Sequence, residues 1–237
     1  MTLYLHELHR VVGRSEDAFE AAFRDPGGWM DRLGEDEDAR LLWYANQAHG
    51  TGLSYQVVTV TAVADGAAWE RLARRVRSGD LHDWSRHVDT LRHDVTGKML
   101  VAVEWSPMDE LDLSAESSTP ADHEPTLFME DTGWPDVALD EYTGFWGRDY
   151  LPLLANQPEA TRLLEIQACW TTALGAGRRP EAILWQRIHN HARLIELFAT
   201  EVPPERKAPG TYMDAALSYR DQWESRLLRT APWSPRW

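Results

Sequence analysis

The sequence repeats itself, because three short features of its first half recur in the same order in its second half. The segment Trp105-Ser106-Pro107 recurs 128 residues later, beginning at Trp233. The pair Leu41-Leu42 recurs 122 residues later as Leu163-Leu164, and Asp65 has its counterpart 125 residues later in Asn190. The offsets differ by only a few residues, which indicates a duplication with small insertions. The chain is therefore predicted to fold as two copies of one unit.

An acidic segment separates the two copies. Residues 106–125 contain six acidic residues, no lysine or arginine, and few apolar side chains. Such a segment buries too little surface to offset its chain entropy, so it is predicted to be a solvated linker. The predicted organisation is a first unit over residues 1–105, the acidic linker over 106–125, and a second unit over 126–237.

Along each copy, the spacing of apolar residues alternates between the period of two that is typical of strands and the period of 3.6 that is typical of helices. The first copy predicts strands at 3–12, 40–46, 54–64 and 98–105, with helices beginning at Ser15, after Asp65, and over Asp80–Val95. The second copy predicts a similar order, with a helix over Tyr212–Leu227 before a last strand at Leu228–Trp233. This order is that of an α+β, ferredoxin-like (split βαβ) unit. One four-stranded sheet of this kind leaves a face uncovered, and the second copy is expected to cover it.

Charge and composition exclude several classes of protein. The net charge is −14, which disfavours binding to nucleic acid or to anionic membrane surfaces. The longest apolar run, Met99–Val103, is far shorter than a membrane span, and the N-terminus has no signal-peptide pattern. The single cysteine, Cys169, excludes an internal disulfide and fits a reducing compartment. A cytoplasmic location is predicted.

Three segments carry a resemblance to a known family: LYLHELHRVVGRSEDAFEAAF, VVTVTAVADGAAWERL, and the paired Trp-Ser-Pro ends. They resemble the NIPSNAP-like branch of the dimeric α/β-barrel superfamily. The resemblance implies that two fused ferredoxin-like units form one pseudo-dimeric α/β barrel. That superfamily includes cofactor-free monooxygenases, polyketide cyclases, lactone isomerases, haem enzymes such as chlorite dismutases and aldoxime dehydratases, and members without a known activity. The fold therefore constrains function weakly.

Histidine 87 is the first candidate catalytic residue. It lies one helical turn after Asp83 on the predicted helix Asp80–Val95, and an Asp–His pair at this spacing can orient an imidazole as a general base. The alternative is a surface ion pair at the edge of the core.

A second set of candidates lies on the predicted strand that ends at His189. Trp185, Arg187 and His189 share one face of that strand, and Glu165 on a neighbouring strand is a candidate partner. A guanidinium and an imidazole beside an indole would bind a planar enol, phenolate or carboxylate and stabilise a developing oxyanion. The alternative is a structural Arg–Glu pair.

Twelve tryptophans are the compositional oddity of the chain. Those on predicted strands, with one tyrosine, are candidate pocket walls for a flat apolar ligand: Trp43, Tyr44, Trp170 and Trp185. Ordinary packing is the alternative for each. No metal site is predicted, since His6 and His9 fall on opposite faces of a strand.

These observations predict a cofactor-independent enzyme acting on a hydrophobic, aromatic or polyketide-like small molecule in a biosynthetic or catabolic pathway. The expected reaction is that of a cyclase, an isomerase or an oxygenase, begun by proton abstraction with His87 or His189 as base. One alternative is a non-catalytic ligand-binding or assembly protein of the same fold. Another is a haem enzyme, with haem implied only by the resemblance. The expected partners are a small hydrophobic ligand and a second copy of the chain as a homodimer.

Overall fold

A computed structural model describes residues 1–34, 37–174 and 179–237. Within these ranges eight antiparallel strands close a barrel in the order β1-β3-β2-β8-β5-β7-β6-β4. The strands are β1 (Leu3–Val11), β2 (Ala39–Gln47), β3 (Gln56–Val63), β4 (Arg92–Ala102), β5 (Leu127–Trp134), β6 (Leu164–Leu174), β7 (Ala182–Ile188) and β8 (Gln222–Thr230). The predicted α+β barrel of two fused ferredoxin-like units is confirmed.

Helices cover the outer face of the barrel. The helices are α1 (Glu16–Arg24), α2 (Trp29–Gly34), α3 (Gly66–Ser78), α4 (His82–Thr90), α5 (Leu139–Phe145), α6 (Leu151–Ala155), α7 (His191–Ala199) and α8 (Tyr212–Ala216). The structure therefore has one hydrophobic core inside the barrel and one core between sheet and helices in each half. None of these helices is long and apolar enough to cross a membrane, within the part of the chain that the structure describes.

The two halves have matching local features. Both β2 and β6 contain a bulge, at Leu42 and at Gln167 respectively. Asp65 and Asn190 both cap the helix that follows, each accepting a hydrogen bond from a backbone N–H three residues on. The predicted match of Leu42 with Leu164 is wrong, because the bulges show that Leu42 corresponds to Gln167.

Five large aromatic side chains fill much of the barrel interior. They are Tyr4, Trp43, Phe128, Trp170 and Trp185, each at most 1% exposed. The three indole rings lie 5.6–6.4 Å apart between centroids and are tilted or edge-on to one another. Packing of this kind makes the interior a core rather than an open channel.

The structure also contains pairs of buried charged side chains. His6 Nε2 lies 2.7 Å from Glu130 Oε2, and Arg226 donates to the other carboxylate oxygen at 2.5 Å. A second pair joins Lys98 to Glu181 at 2.5 Å. Because His6 and Glu130 come from different halves, their contact joins the two units across the barrel.

Three sequence predictions differ from the structure. The predicted helix Asp80–Val95 ends at Thr90, and the one predicted over Tyr212–Leu227 ends at Ala216. In both cases a strand begins a few residues later, because pairing with β1 or β5 outweighs a helix-like apolar spacing. The predicted linker is not wholly solvated: Met108 and Leu113 are buried in the barrel core, and the Tyr4 hydroxyl donates to the Met108 carbonyl.

Candidate active site

A cavity of about 500 Å³ lies between the outer face of the first-half sheet and the helices α3 and α4. Its volume falls within the range of small-molecule sites. Apolar side chains form most of its walls, and charged groups enter it from β1, β4, α3 and α4. The residues used below are Glu7, His9, Phe23, Trp29, Trp69, Ala73, Trp84, Asp89 and Arg92.

Glu7 places a carboxyl group in this cavity. It lies on β1 opposite Thr59 of β3 and Gly97 of β4, and alternation along the strand points it toward the helices while His6 points into the barrel. Burial raises the pKa of the Glu7 carboxyl above its ordinary value, and the positive charge of Arg92 opposes that rise. A carboxylate whose pKa is raised is a stronger base than a free one, so it is better suited to accept a proton from a bound molecule.

His9, two residues further along β1, has both ring nitrogens engaged. Its Nδ1 lies 2.8 Å from Arg92 Nη1, and its Nε2 lies 3.0 Å from the Thr59 hydroxyl oxygen. A guanidinium can only donate, so Nδ1 accepts and the ring proton of neutral His9 lies on Nε2. Burial, and then the charge of Arg92, lower the pKa of His9 well below its ordinary value. Neutral His9 therefore accepts a hydrogen bond from Arg92 and helps to hold its guanidinium in place.

Arg92 is held from two sides. Its Nε and Nη2 donate to Asp89 Oδ1 at 3.0 and 2.5 Å, and its Nη1 donates to His9. Its side chain is only 13% exposed. These contacts fix the plane of the guanidinium at the cavity wall, where it can stabilise a negative charge that forms on a bound molecule.

Tryptophan rings form the apolar walls. Trp29 and Trp84 stack with centroids 4.5 Å apart and an interplanar angle of 20°. The indole N–H of Trp29 donates a hydrogen bond to the Thr61 hydroxyl at 3.1 Å, and that of Trp84 donates to the Ala22 carbonyl at 2.7 Å. The rings thus present apolar surface to the cavity, which suits a flat aromatic ligand.

The predicted pair of His87 and Asp83 lies elsewhere. Both side chains are exposed on α4, whose buried residue is Val88. The residues that this helix contributes to the cavity are instead His82, Trp84, Ser85, Arg86 and Asp89. Asp83 and His87 therefore lie on a solvated face of α4, outside this cavity.

The second predicted set lies at the end of β7. His189 Nε2 is 2.7 Å from Glu165 Oε2, so these two side chains do meet. Their side chains are 34% and 41% exposed, and Arg187 pairs in register with Glu165 at the same end of the barrel. This set is an exposed polar group, outside the cavity between helices and sheet.

The four predicted aromatic walls are distributed over two cores. Trp43, Trp170 and Trp185 lie in the barrel interior. Tyr44 lies in the first helix–sheet core, 5.5 Å from Phe23 between ring centroids. Packing, the alternative given for each residue from the sequence, accounts for these positions.

Sequence reasoning missed Glu7, His9 and Arg92 as a site. The signal available was the alternation in LYLHELHRV, which puts Glu7 and His9 on one face of a strand. Arg92 was not identified because its segment was predicted to be helical. In addition, Arg92 and His9 are 83 residues apart in the sequence.

His9 does not fit the role of an axial haem ligand in this cavity, and the other histidine of its lining, His82, has its Nδ1 3.4 Å from the Val76 carbonyl oxygen. Such a ligand needs a histidine nitrogen available to iron, and His9 uses Nδ1 for Arg92 and Nε2 for Thr59. We therefore derive no step through haem. Over residues 1–34, 37–174 and 179–237, no group of three or more histidine, cysteine or acidic side chains is placed to hold a metal ion.

Comparisons with known proteins support the fold. No family model matches the chain, and no curated protein matches it in sequence. A candidate monooxygenase from Lactobacillus acidophilus superposes with a TM-score of 0.58 at 8% identity, over 99% of this chain and 97% of that one. An anthrone oxidase-like protein gives 0.58 at 9%, over 97% and 91%. Chlorite dismutase from Candidatus Nitrospira defluvii gives 0.54 at 6%, over 98% and 91%.

NIPSNAP proteins are also among the similar solved structures, each matching less than half of this chain. The solved structures that cover nearly all of this chain share its fold, an α/β barrel of ferredoxin-like units. In this chain the fold comes from two fused units, and the first unit carries a cavity in which an acid, a fixed guanidinium and tryptophan rings meet.

Proposed function

We propose that the protein is a cofactor-independent enzyme that abstracts a proton from an aromatic or polyketide-like substrate in the cavity of its first half. The observation that carries this proposal is the Glu7 carboxyl group, whose pKa burial raises, beside the oriented guanidinium of Arg92. An acid–base group and an anion-stabilising group in one apolar cavity are what enolate or phenolate chemistry needs.

Glu7 is the proposed base. A raised pKa strengthens a carboxylate as a base. Its carboxyl would take a proton from an acidic C–H or O–H group of the substrate. The same group could return the proton at another carbon, which would give an isomerisation or a cyclisation.

Arg92 would hold the anion that forms. His9 and Asp89 fix the guanidinium before the substrate arrives, so little reorganisation is needed as charge develops. Trp29, Trp69 and Trp84 would bind the flat rings of the substrate and exclude water from them.

An anthrone is the test substrate that the fold neighbours suggest, since one of them is anthrone oxidase-like. Glu7 would remove a proton from the methylene carbon, and the resulting enolate would react with O₂ at that carbon. The hydroperoxide then loses water as its O–O bond breaks, and a quinone forms. One anthrone and one O₂ yield one anthraquinone and one water, so neither a reductant nor a metal is required for the balance.

The test measures O₂ consumption with anthrone, corrected for spontaneous oxidation. Glu7→Gln should lower kcat by roughly 100-fold or more, the usual contribution of a general base. His87→Ala is the matched control, because His87 is exposed on α4, and it should keep the wild-type rate. If His87→Ala abolishes turnover while Glu7→Gln leaves it unchanged, the site is misassigned.

The other classes of protein give different outcomes. If both the wild type and Glu7→Gln bind anthrone tightly but do not turn it over, the protein is a ligand-binding protein. A Soret band in purified protein would indicate haem and would overturn a cofactor-independent reaction.

A further inference from the structure

The second half has a cavity of its own, with a volume of about 290 Å³. It lies between α8, the short turn Pro204–Lys207 that precedes α8, and the start of β8. The lining residues used below are Lys207, Asp214, Leu217, Arg220 and Trp223. No lining residue is shared with the first-half cavity, so the two cavities are separate. The volume is close to the lower limit of small-molecule sites.

Large apolar side chains at this cavity are in contact with solvent. Leu217 is 63% exposed and Trp223 is 50% exposed. Trp223 pairs with Gly133 of β5, which has no side chain that could cover the indole ring. A bound apolar group would remove both side chains from water, and the gain in free energy grows with the area that is covered.

Arg220 contacts the ring of Trp223 and keeps its hydrogen-bond donors. Its Cζ atom lies 4.2 Å from the centroid of that ring, which is a cation–π contact. Such a contact uses none of the N–H groups, because they lie in the plane of the guanidinium. The Nε atom of Arg220 is buried and has no hydrogen-bond partner within the described part of the chain. A buried donor of this kind favours a bound acceptor.

The cavity also has an excess of positive charge. Lys207 and Arg220 line it, and neither forms an ion pair with an acidic side chain among the residues that the structure places. The acidic residue of the described lining is Asp214, whose carboxylate accepts a hydrogen bond from the Gly210 backbone N–H at 3.0 Å. Two cations and one acid, in a chain with a net charge of −14, make this cavity a local site for an anion.

We propose that the second half binds a small aromatic carboxylate in this cavity. The carboxylate accepts hydrogen bonds from Nε and one Nη of Arg220, the edge of a guanidinium that binds carboxylates with two parallel bonds. The ammonium group of Lys207 adds a second positive charge, and the aromatic ring covers Leu217 and Trp223. This site goes beyond the function proposed above and does not depend on the reaction of the first half.

The ligand class follows from the combination of charge and apolar surface. An inorganic anion such as phosphate would neutralise Arg220 and Lys207 but would leave Leu217 and Trp223 exposed to water. A neutral arene would cover the apolar side chains and leave the buried Nε of Arg220 without an acceptor. An aromatic ring that carries a carboxylate satisfies both requirements.

The test compares 2-naphthoate with 2-naphthamide, a neutral molecule of nearly the same shape, by titration calorimetry. The full-length chain carries Ala73→Trp, which blocks the first-half cavity. We predict that one 2-naphthoate binds per chain. The affinity for 2-naphthamide should be at least about 10-fold lower, because hydrogen bonds between two charged groups are stronger than those to a neutral amide.

Substitutions of the two cations locate the site. Arg220→Gln should weaken binding of 2-naphthoate at least about 10-fold and leave that of 2-naphthamide nearly unchanged. Lys207→Gln should weaken 2-naphthoate by about 3-fold, since Lys207 is exposed. Arg206→Gln is the matched control, because it removes the same charge from the same turn outside the cavity lining, and it should bind like the parent chain.

The exposed position of Lys207 keeps the test decisive if Arg220→Gln does not fold. In that case the preference for 2-naphthoate, and its decrease in Lys207→Gln but not in Arg206→Gln, carries the result. Equal affinity for 2-naphthoate and 2-naphthamide, or no binding of either, would overturn the proposal. An unchanged preference in every folded variant of Arg220 and Lys207 would also overturn it, since the carboxylate would then bind elsewhere.

Discussion

Glu130 offers a stability test of the contact that joins the two halves. Its carboxylate is fully buried and receives hydrogen bonds from His6 and Arg226. Burial alone would raise the pKa of Glu130, but the charges of His6, Arg226 and Lys98 outweigh it and lower the pKa from 4.5 to about 2. We predict that Glu130→Gln destabilises the fold and that the loss depends on pH.

The magnitude follows from this pKa difference. Because the folded-state pKa lies below the unfolded one, the unfolded chain binds more protons between these values, and stability falls as the pH falls. A lowering from 4.5 to about 2 corresponds to roughly 3 kcal/mol of unfolding free energy at neutral pH. That contribution is fully present above about pH 5 and is lost as the pH falls through about 2.

The assay is urea unfolding of wild type and Glu130→Gln at pH 7 and pH 3. The difference in unfolding free energy should be about 3 kcal/mol at pH 7 and shrink to about 1 kcal/mol at pH 3. Glu224→Gln is the matched control, because Glu224 contacts the same Arg226 at 2.7 Å but is 47% exposed. It should cost less than about 1 kcal/mol. Equal losses for the two variants, or a difference that does not change with pH, would refute this reasoning.

Three smaller predictions test other parts of the structure. Gly133→Ala should lower the unfolding free energy by roughly 1–3 kcal/mol through overlap with Tyr142, whereas Gly144→Ala, with open space around its Cβ, should not lower it. Burial raises the pKa of Cys169 well above its ordinary value, so a thiol reagent should modify it only after denaturation. Asn190→Ala should cost about 1 kcal/mol in urea unfolding, because the helix loses its side-chain cap.

Much of the fold could be predicted from local signals. The β-branched run at Gln56–Val63, the caps Asp65 and Asn190, and the repeated Trp-Ser-Pro segments all belong to the duplication. The prediction failed in the first parts of β4 and β8, where most residues are exposed, although Arg92 at the start of β4 is not. The exposed first part of a strand lacks the alternation of apolar and polar residues that identifies a strand in a sequence. Only its pairing with β1 or β5 defines it.

The site was harder to predict because its parts are distant in sequence. His87 and Asp83 form a recognisable motif within one helix, yet they lie on its exposed face. Glu7, His9 and Arg92 form no motif, and they meet only because β1 and β4 are neighbours in the barrel. Spacing within one element cannot reveal such a set.

The measurement that tests the central claim most directly is calorimetric binding of 1,8-dihydroxyanthraquinone, a flat product-like probe, to a cavity-filled variant. Ala73 lines the cavity from α3, so Ala73→Trp should fill it, while Ala67→Trp places the same ring on the exposed face of that helix. We predict one probe molecule per chain for wild type and for Ala67→Trp, and loss of binding for Ala73→Trp. Undiminished binding to Ala73→Trp would show that the ligand site lies elsewhere.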